Sequence, residues 1–192
     1  QTQFHPANSQ RIDKPTIPMV QTASICWRNS AFGILNATFD LDIPSERALL
    51  HTWLLGGPPK TIVGMNLLFD LRYLIHDGYL NFSDLITDDV TLVDLAAVSF
   101  CDDDIRPEKS LKALAPLFNV LRYNKTAKNH QFSSSRDPEL HRYNAEDAYA
   151  TFRCYELLGT KHMDVNWWSN LLKTTLNMEL NGIRFDRPAL VS

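Results

Sequence analysis

Two pairs of side chains have the type and the spacing to act on a phosphate ester. Asn66 and Asp70 lie four residues apart in Gly64-Met65-Asn66-Leu67-Leu68-Phe69-Asp70, and Tyr143 and Asp147 repeat that spacing in Tyr143-Asn144-Ala145-Glu146-Asp147. Residues four apart on a helix share a face, so each pair would point one way. Cleaving a phosphodiester at neutral pH calls for charge neutralisation at the phosphate and a source of hydroxide, which two divalent ions roughly 3.5–4 Å apart supply. Asp70 and Asp147 are hard oxygen ligands suited to Mg²⁺ or Mn²⁺, and a tyrosine hydroxyl can orient the attacking water without being a ligand. Each pair alone is a weak signal, because N-caps, helix surfaces and half-buried tyrosines supply the same residues for bland reasons. Their order and context add weight: the first pair follows a strand, the second sits in a late helix, and a polar loop with basic residues lies between them.

The elements that must position these residues follow from pattern and punctuation. Val20 to Trp27 and Ala31 to Phe39 are β-prone segments joined by Arg28, Asn29 and Ser30, which predicts a hairpin. Ser45 to Leu55 reads as a helix started by Pro44 and stopped by Gly56, Gly57, Pro58 and Pro59. Thr61 to Met65 is a short apolar strand that runs into a helix over Asn66 to Asp77, where Leu67, Leu71, Leu74 and Ile75 recur at helical spacing before Gly78. Asp137 with Pro138 caps a helix through Leu158, and Asp164 caps another over Asn166 to Leu180, ended by Asn181 and Gly182. Asn124 to Arg136 is polar and without period, as is the proline-containing stretch before Val20.

Composition narrows the class. The 192 residues are 44% hydrophobic and carry a net charge of -3, enough for one core with a tail and too little positive charge for a bulk polyanion binder. Charge is uneven: Ser83 to Asp104 holds seven aspartates and no Lys or Arg, whereas Arg106 to Arg142 holds eight basic residues. Lys109, Lys112, Arg122, Lys125, Lys128 and Arg136 are therefore the candidate phosphate contacts, with a solvated face the equal alternative for each. Three distant cysteines form no CxxC pair, which argues against a disulfide framework or a zinc site and fits a reducing compartment. No apolar run approaches the roughly 20 residues needed to cross a bilayer, so no membrane partner is expected. The six histidines form no pair at ligand spacing. Trp167 and Trp168 could stack bases, but tandem aromatics at a helix start read better as core.

With these residues in place, the sequence resembles the 3′→5′ proofreading exonuclease domain of family A DNA polymerases, in the subgroup whose third motif is Tyr-x3-Asp. The second motif of that family, Asn-x2-3-(Phe/Tyr)-Asp, matches Asn66 to Asp70, and the third matches Tyr143 to Asp147 within Ala145-Glu146-Asp147-Ala148. Val93-Asp94-Leu95 resembles the strand-to-helix step after the second motif, and Ser110 to Ala115 resembles a Ser-Leu-x-x-Leu-Ala helix. Asn177 to Asp186 is similar to the Met-Glu-x-x-Gly-Ile-x-x-Asp signature that leads into the polymerase region.

The resemblance implies an α/β fold of the ribonuclease-H-like type, a mixed sheet flanked by helices. It also implies an exonuclease-like domain over residues 1–160, with a connecting helix and the start of a polymerase region over 161–192. Asp70, Tyr143 and Asp147 would be catalytic, Asp70 and Asp147 would bind metal, and Asn66 and Phe69 would face the terminal nucleotides. The expected cofactors are two divalent ions, Mg²⁺ or Mn²⁺. The expected partners are a single-stranded DNA 3′ end or primer-template and a polymerase region in the same chain, in the cytoplasm of a bacterial or phage-infected cell. One departure matters. The family's first motif, Asp-x-Glu, belongs on a strand before the hairpin, and no Asp-x-Glu or Asp-x-Asp lies on a strand there. Gln3 to Asn8 resembles the segment that follows this motif in phage-type enzymes. The expectation is thus a chain cut at both ends, without its first strand and nearly inactive alone, since each lost carboxylate removes charge and a fixed oxygen. Two other readings stay open: an RNA 3′→5′ exonuclease using the same tyrosine motif, and a non-catalytic exonuclease fold that scaffolds a polymerase or grips single strands.

Overall fold

Hydrophobic alternation builds the strands first. The structure is a computed structural model that describes residues 20–105, 108–120 and 134–182. β1 (Thr22–Asn29) and β2 (Gly33–Asp40) pair antiparallel. Ala23 opposes Phe39 and Ile25 opposes Ala37, and all four sit in or against the larger core. On the other face Ser24 and Thr38 share a 2.6 Å hydroxyl hydrogen bond. The turn falls two residues later than the sequence predicts. The Asn29 carboxamide oxygen accepts from the N–H groups of Ala31 and Phe32, at 2.8 and 3.1 Å, and Gly33 takes a φ of 78° that closes the hairpin.

α1 (Pro44–Leu55) leads to β3 (Lys60–Gly64), which is followed by α2 (Leu67–His76) and the short α3 (Phe82–Leu85). β4 (Val90–Asp94) then pairs parallel with β3 and runs directly into α4 (Leu95–Asp102). α5 (Leu111–Leu117), α6 (Pro138–Leu158) and α7 (Val165–Asn181) complete the described elements. The predicted caps are present: Asp137 accepts from Glu139 N–H and Asp164 from Trp167 N–H.

The parallel pair is buried on both faces. Ile62 and Leu92, side by side in register, face a core built with Leu50 of α1, Leu67 and Leu71 of α2, and Leu172 and Leu176 of α7. Val63 and Val93, the next pair, face a second core made with Val98 of α4, Leu114 of α5, and Ala150 and Cys154 of α6. The result is three layers, helices over strands over helices. α7, which lies beyond residue 160, is part of this body, since it packs on β4 and α2 and the Ser169 hydroxyl accepts from Leu92 N–H at 2.9 Å.

Three expectations change. The single mixed sheet expected from the resemblance is not what the described strands form: β1–β2 and β3–β4 are separate two-stranded sheets. α6 nevertheless lies across β1, β2 and β3, so one helix roofs both sheets while no backbone ladder joins them. Trp167 is not core; it is 57% exposed, because Ser169, Leu172 and Leu176 define the buried stripe of α7. Asn66 lies outside the helix, with φ 59° and ψ 48° in the left-handed region, one residue ahead of α2. The expected first strand, the segment before Val20, most of the polar loop and the residues after Gly182 lie outside the described residues.

Gly64 shows how tightly the end of β3 meets α2. A Cβ added there would stand 2.7 Å from Leu67 Cδ1 and 3.1 Å from Leu67 Cβ, and Leu67 is itself buried. Gly64→Ala is therefore expected to cost about 1–3 kcal/mol by overpacking, read as a lower urea midpoint at unchanged slope.

Candidate functional site

The strand ends carry the polar groups. Gly64 and Asp94 are the last residues of β3 and β4 and pair in register, so the start of α2 and the start of α4 emerge side by side. Asn66, Phe69 and Asp70 form an exposed face at the start of α2. Phe69 is 47% exposed and braced from behind: its ring centroid is 4.7 Å from that of Tyr73, and the Arg72 guanidinium lies 5.7 Å from it. Arg72 is held in turn by Glu179 of α7 at 3.4 Å. A braced ring with an open face can receive a planar base.

Among the described residues Asp70 has no compensating cation. The atoms packed around its carboxyl, and then the negative charge of Asp94, push its pKa up to about 6, although the side chain reaches solvent. Asp94 was not among the candidate site residues; its place at a strand end was the available signal.

Tyr143 and Asp147 stand one turn apart on α6, both half-buried. The phenol donates a hydrogen bond to the Asp147 carboxylate, as the spacing allows. Burial still raises the Asp147 pKa, with Glu146 adding to the rise, while the Tyr143 bond opposes it. α6 is located by its contacts with the hairpin: Asn144 Nδ2 donates to Thr22 Oγ1 at 2.6 Å, Asn36 Nδ2 donates to the Ala145 carbonyl at 2.7 Å, and Arg28 Nε donates to Glu156 at 2.7 Å.

The structure thus assembles the candidate residues as two groups, Asn66–Phe69–Asp70 on α2 and Tyr143–Asp147 on α6. Among the described residues no three His, Cys, Asp or Glu side chains lie close enough together to hold a metal. The donors present fit a divalent ion in chemistry, as carboxylates without basic partners among the described residues, but not in number. Asp40 and Asp42, an Asp-x-Asp at the end of β2, do not make up the set. Burial pushes the Asp40 pKa up, but bonds from the Asp42 N–H, Arg136 and Ser135 more than reverse this and hold it below the usual range. Arg136, one of the expected phosphate contacts, has its Nε engaged with Asp40 at 3.2 Å. Arg122, Lys125 and Lys128 lie outside the described residues.

Compared with known proteins, the chain matches no family model, no curated protein and no solved structure. Among the described residues no helix is long and apolar enough to cross a membrane.

Two outcomes test this geometry. Tyr143→Phe removes the bond that lowers the Asp147 pKa, so the Asp147 carboxyl ¹³C titration should move to higher pH. Because a raised carboxyl pKa favours the neutral form, stability conferred through Asp147 should then fall as pH rises from its unfolded to its folded pKa. Asn66→Gly, suited to the left-handed backbone, should change stability by less than about 1 kcal/mol, whereas Asn66→Val should cost about 1–2 kcal/mol in denaturant unfolding.

Proposed function

We propose that the chain is the 3′→5′ exonuclease portion of a family A DNA polymerase, acting on DNA 3′ ends. The observation that carries this reading is the Tyr143 phenol donating to Asp147 within the Tyr-x3-Asp motif on α6. The ribonuclease-H-like fold belongs to the same proposal. It is supported by the three layers, by the parallel pair beside an antiparallel hairpin, and by two sheets that part under one helix where a further strand would join them.

In this reading Phe69 stacks on the terminal base and the Asn66 carboxamide, which makes no capping bond of its own, meets the nucleotide's polar edge. Tyr143 donates its O–H hydrogen bond to Asp147, which leaves the phenolic oxygen's lone pairs to accept from water and aim it at phosphorus. That same bond favours the charged form of Asp147. Asp70 and Asp147 would each hold a divalent ion together with further oxygen ligands. The ions, when bound, would neutralise the phosphate and lower the pKa of water.

The test is a Mn²⁺ and thymidine monophosphate titration followed by amide NMR. Mn²⁺ should broaden Asp70 and Asp147 before other residues, thymidine monophosphate should shift Asn66 and Phe69, and Asp70→Ala should remove the first effect at its own position. Absence of broadening at both carboxylates would end the proposal. Hydrolysis of single-stranded DNA by these 192 residues is expected to stay near background. Brisk Mg²⁺-dependent degradation abolished by Asp70→Ala would instead mean that the ligand set is complete, and preference for a matched RNA would move the substrate from DNA to RNA.

A further inference from the structure

Asp94 makes more backbone contacts than an ordinary helix cap. Its Oδ1 accepts from Ala96 N–H at 2.9 Å, which caps α4, and from Asn66 N–H at 3.1 Å. Its Oδ2 accepts from Leu67 N–H at 3.0 Å. One carboxylate therefore serves the starts of two helices that pack on opposite faces of the parallel pair, α4 in one core and α2 in the other.

The second of these caps is supplied from a distance. At most helix starts the N-cap residue folds its own side chain back onto the first turn. Asn66, the N-cap of α2, has the right side chain for this, yet it makes no capping hydrogen bond and its backbone is left-handed. Asparagine visits the left-handed region less readily than glycine, so contacts at this turn help to hold it there. Asp94 does so by taking the N–H groups of Asn66 and Leu67, and its negative charge also suits the positive end of α2. The Asn66 carboxamide is thereby spared from capping, and Asp70 is set one turn further along a helix whose first residues are anchored.

We propose that Asp94 is a positioning residue: by holding the Asn66 and Leu67 amides, its carboxylate fixes the turn that presents Asn66 and Asp70 at the end of β3. As a role in the site it rests on the exonuclease reading above. Asp94 is assigned no contact with substrate or metal.

The chemistry of substitution separates this role from capping. Serine is a good N-cap and can still serve Ala96, but its hydroxyl falls about one bond length short of the α2 amides. Asparagine keeps Oδ1, and so the Ala96 and Asn66 bonds, but opposes a donor to Leu67 N–H. In Asp94→Ser the amides of Asn66 and Leu67 should exchange with solvent roughly 10-fold faster while Ala96 keeps its protection, and in Asp94→Asn only Leu67 should quicken. In the same samples Mn²⁺ broadening at Asp70 should weaken several-fold in Asp94→Ser, with broadening at Asp147 as the internal control. Unchanged exchange at Asn66 and Leu67, or unchanged broadening at Asp70, would overturn the proposal while leaving the exonuclease reading intact. No broadening at Asp70 in the unsubstituted chain would overturn the metal reading, and this role with it. If Asp94→Ser does not fold, the Leu67 exchange rate in Asp94→Asn decides: a wild-type rate overturns the role, a faster one supports it.

Discussion

A parallel pair of strands buried on both faces has no side on which to display polar chemistry. Ile62 and Leu92 fill one core and Val63 and Val93 the other, so the strands' interior positions are committed to packing. What remains for function is where the strands stop and the chain must turn out of the sheet. At that point the sequence changes from branched apolar residues to Gly64, Asn66, Asp70 and Asp94. The site is a consequence of layer architecture: helices on both faces bury the strands, and polar groups collect at the ends.

The acidic residues then sort by what neutralises them. For Glu156, burial pushes the pKa up, but hydrogen bonds from Arg28 and then Arg153 reverse the sign, as Arg136 and its neighbours do for Asp40. These carboxylates tie α6 and the segment before it to the hairpin. Asp70 and Asp147 are shifted the other way, because burial acts on them with no arginine among the described residues to answer it. A structural carboxylate is stabilised as an anion by a partner already present, whereas one kept short of partners is poised for a proton or a cation. The contrast within one small domain separates the two groups more cleanly than the Asp-x-Asp pattern does, since by pattern Asp40 is as good a candidate as Asp70.

Much of this was legible in the sequence, and what was not has physical causes. The Asp137 and Asp164 caps and the breakers after Leu55 announced their helices because capping is local chemistry. The hairpin was legible, but its turn was not, since Asn29 and Gly33 act together across a three-residue loop that outranks the apparent breaker positions. Asn66 read as the first helical residue because spacing to Asp70 says nothing about backbone hand. That hand depends on Asp94, 28 residues away along the chain. Trp167 was misplaced for a similar reason: aromatic character suggests burial, but the face of α7 is chosen by Ser169, Leu172 and Leu176 against β4 and α2. The i, i+4 pairing of Tyr143 with Asp147 survived folding because both ends of the contact lie within one helix.

How the two candidate groups relate is set by the strands rather than by the groups themselves. The Asp70 group hangs on β3 and β4 through the turn at Asn66, and the Tyr143 group hangs on the hairpin through Asn144 and Thr22, Ala145 and Asn36, and Glu156 and Arg28. α6 packs over both sheets, but side-chain packing tolerates sliding that a hydrogen-bonded ladder does not. A strand joining β1 to β3 would lock that register and bring its own side chains to the same end. Under the proposed exonuclease reading, such a strand would also be the one on which the resemblance places the first-motif carboxylates, so one element would fix the register of the two groups and add oxygen ligands beside them.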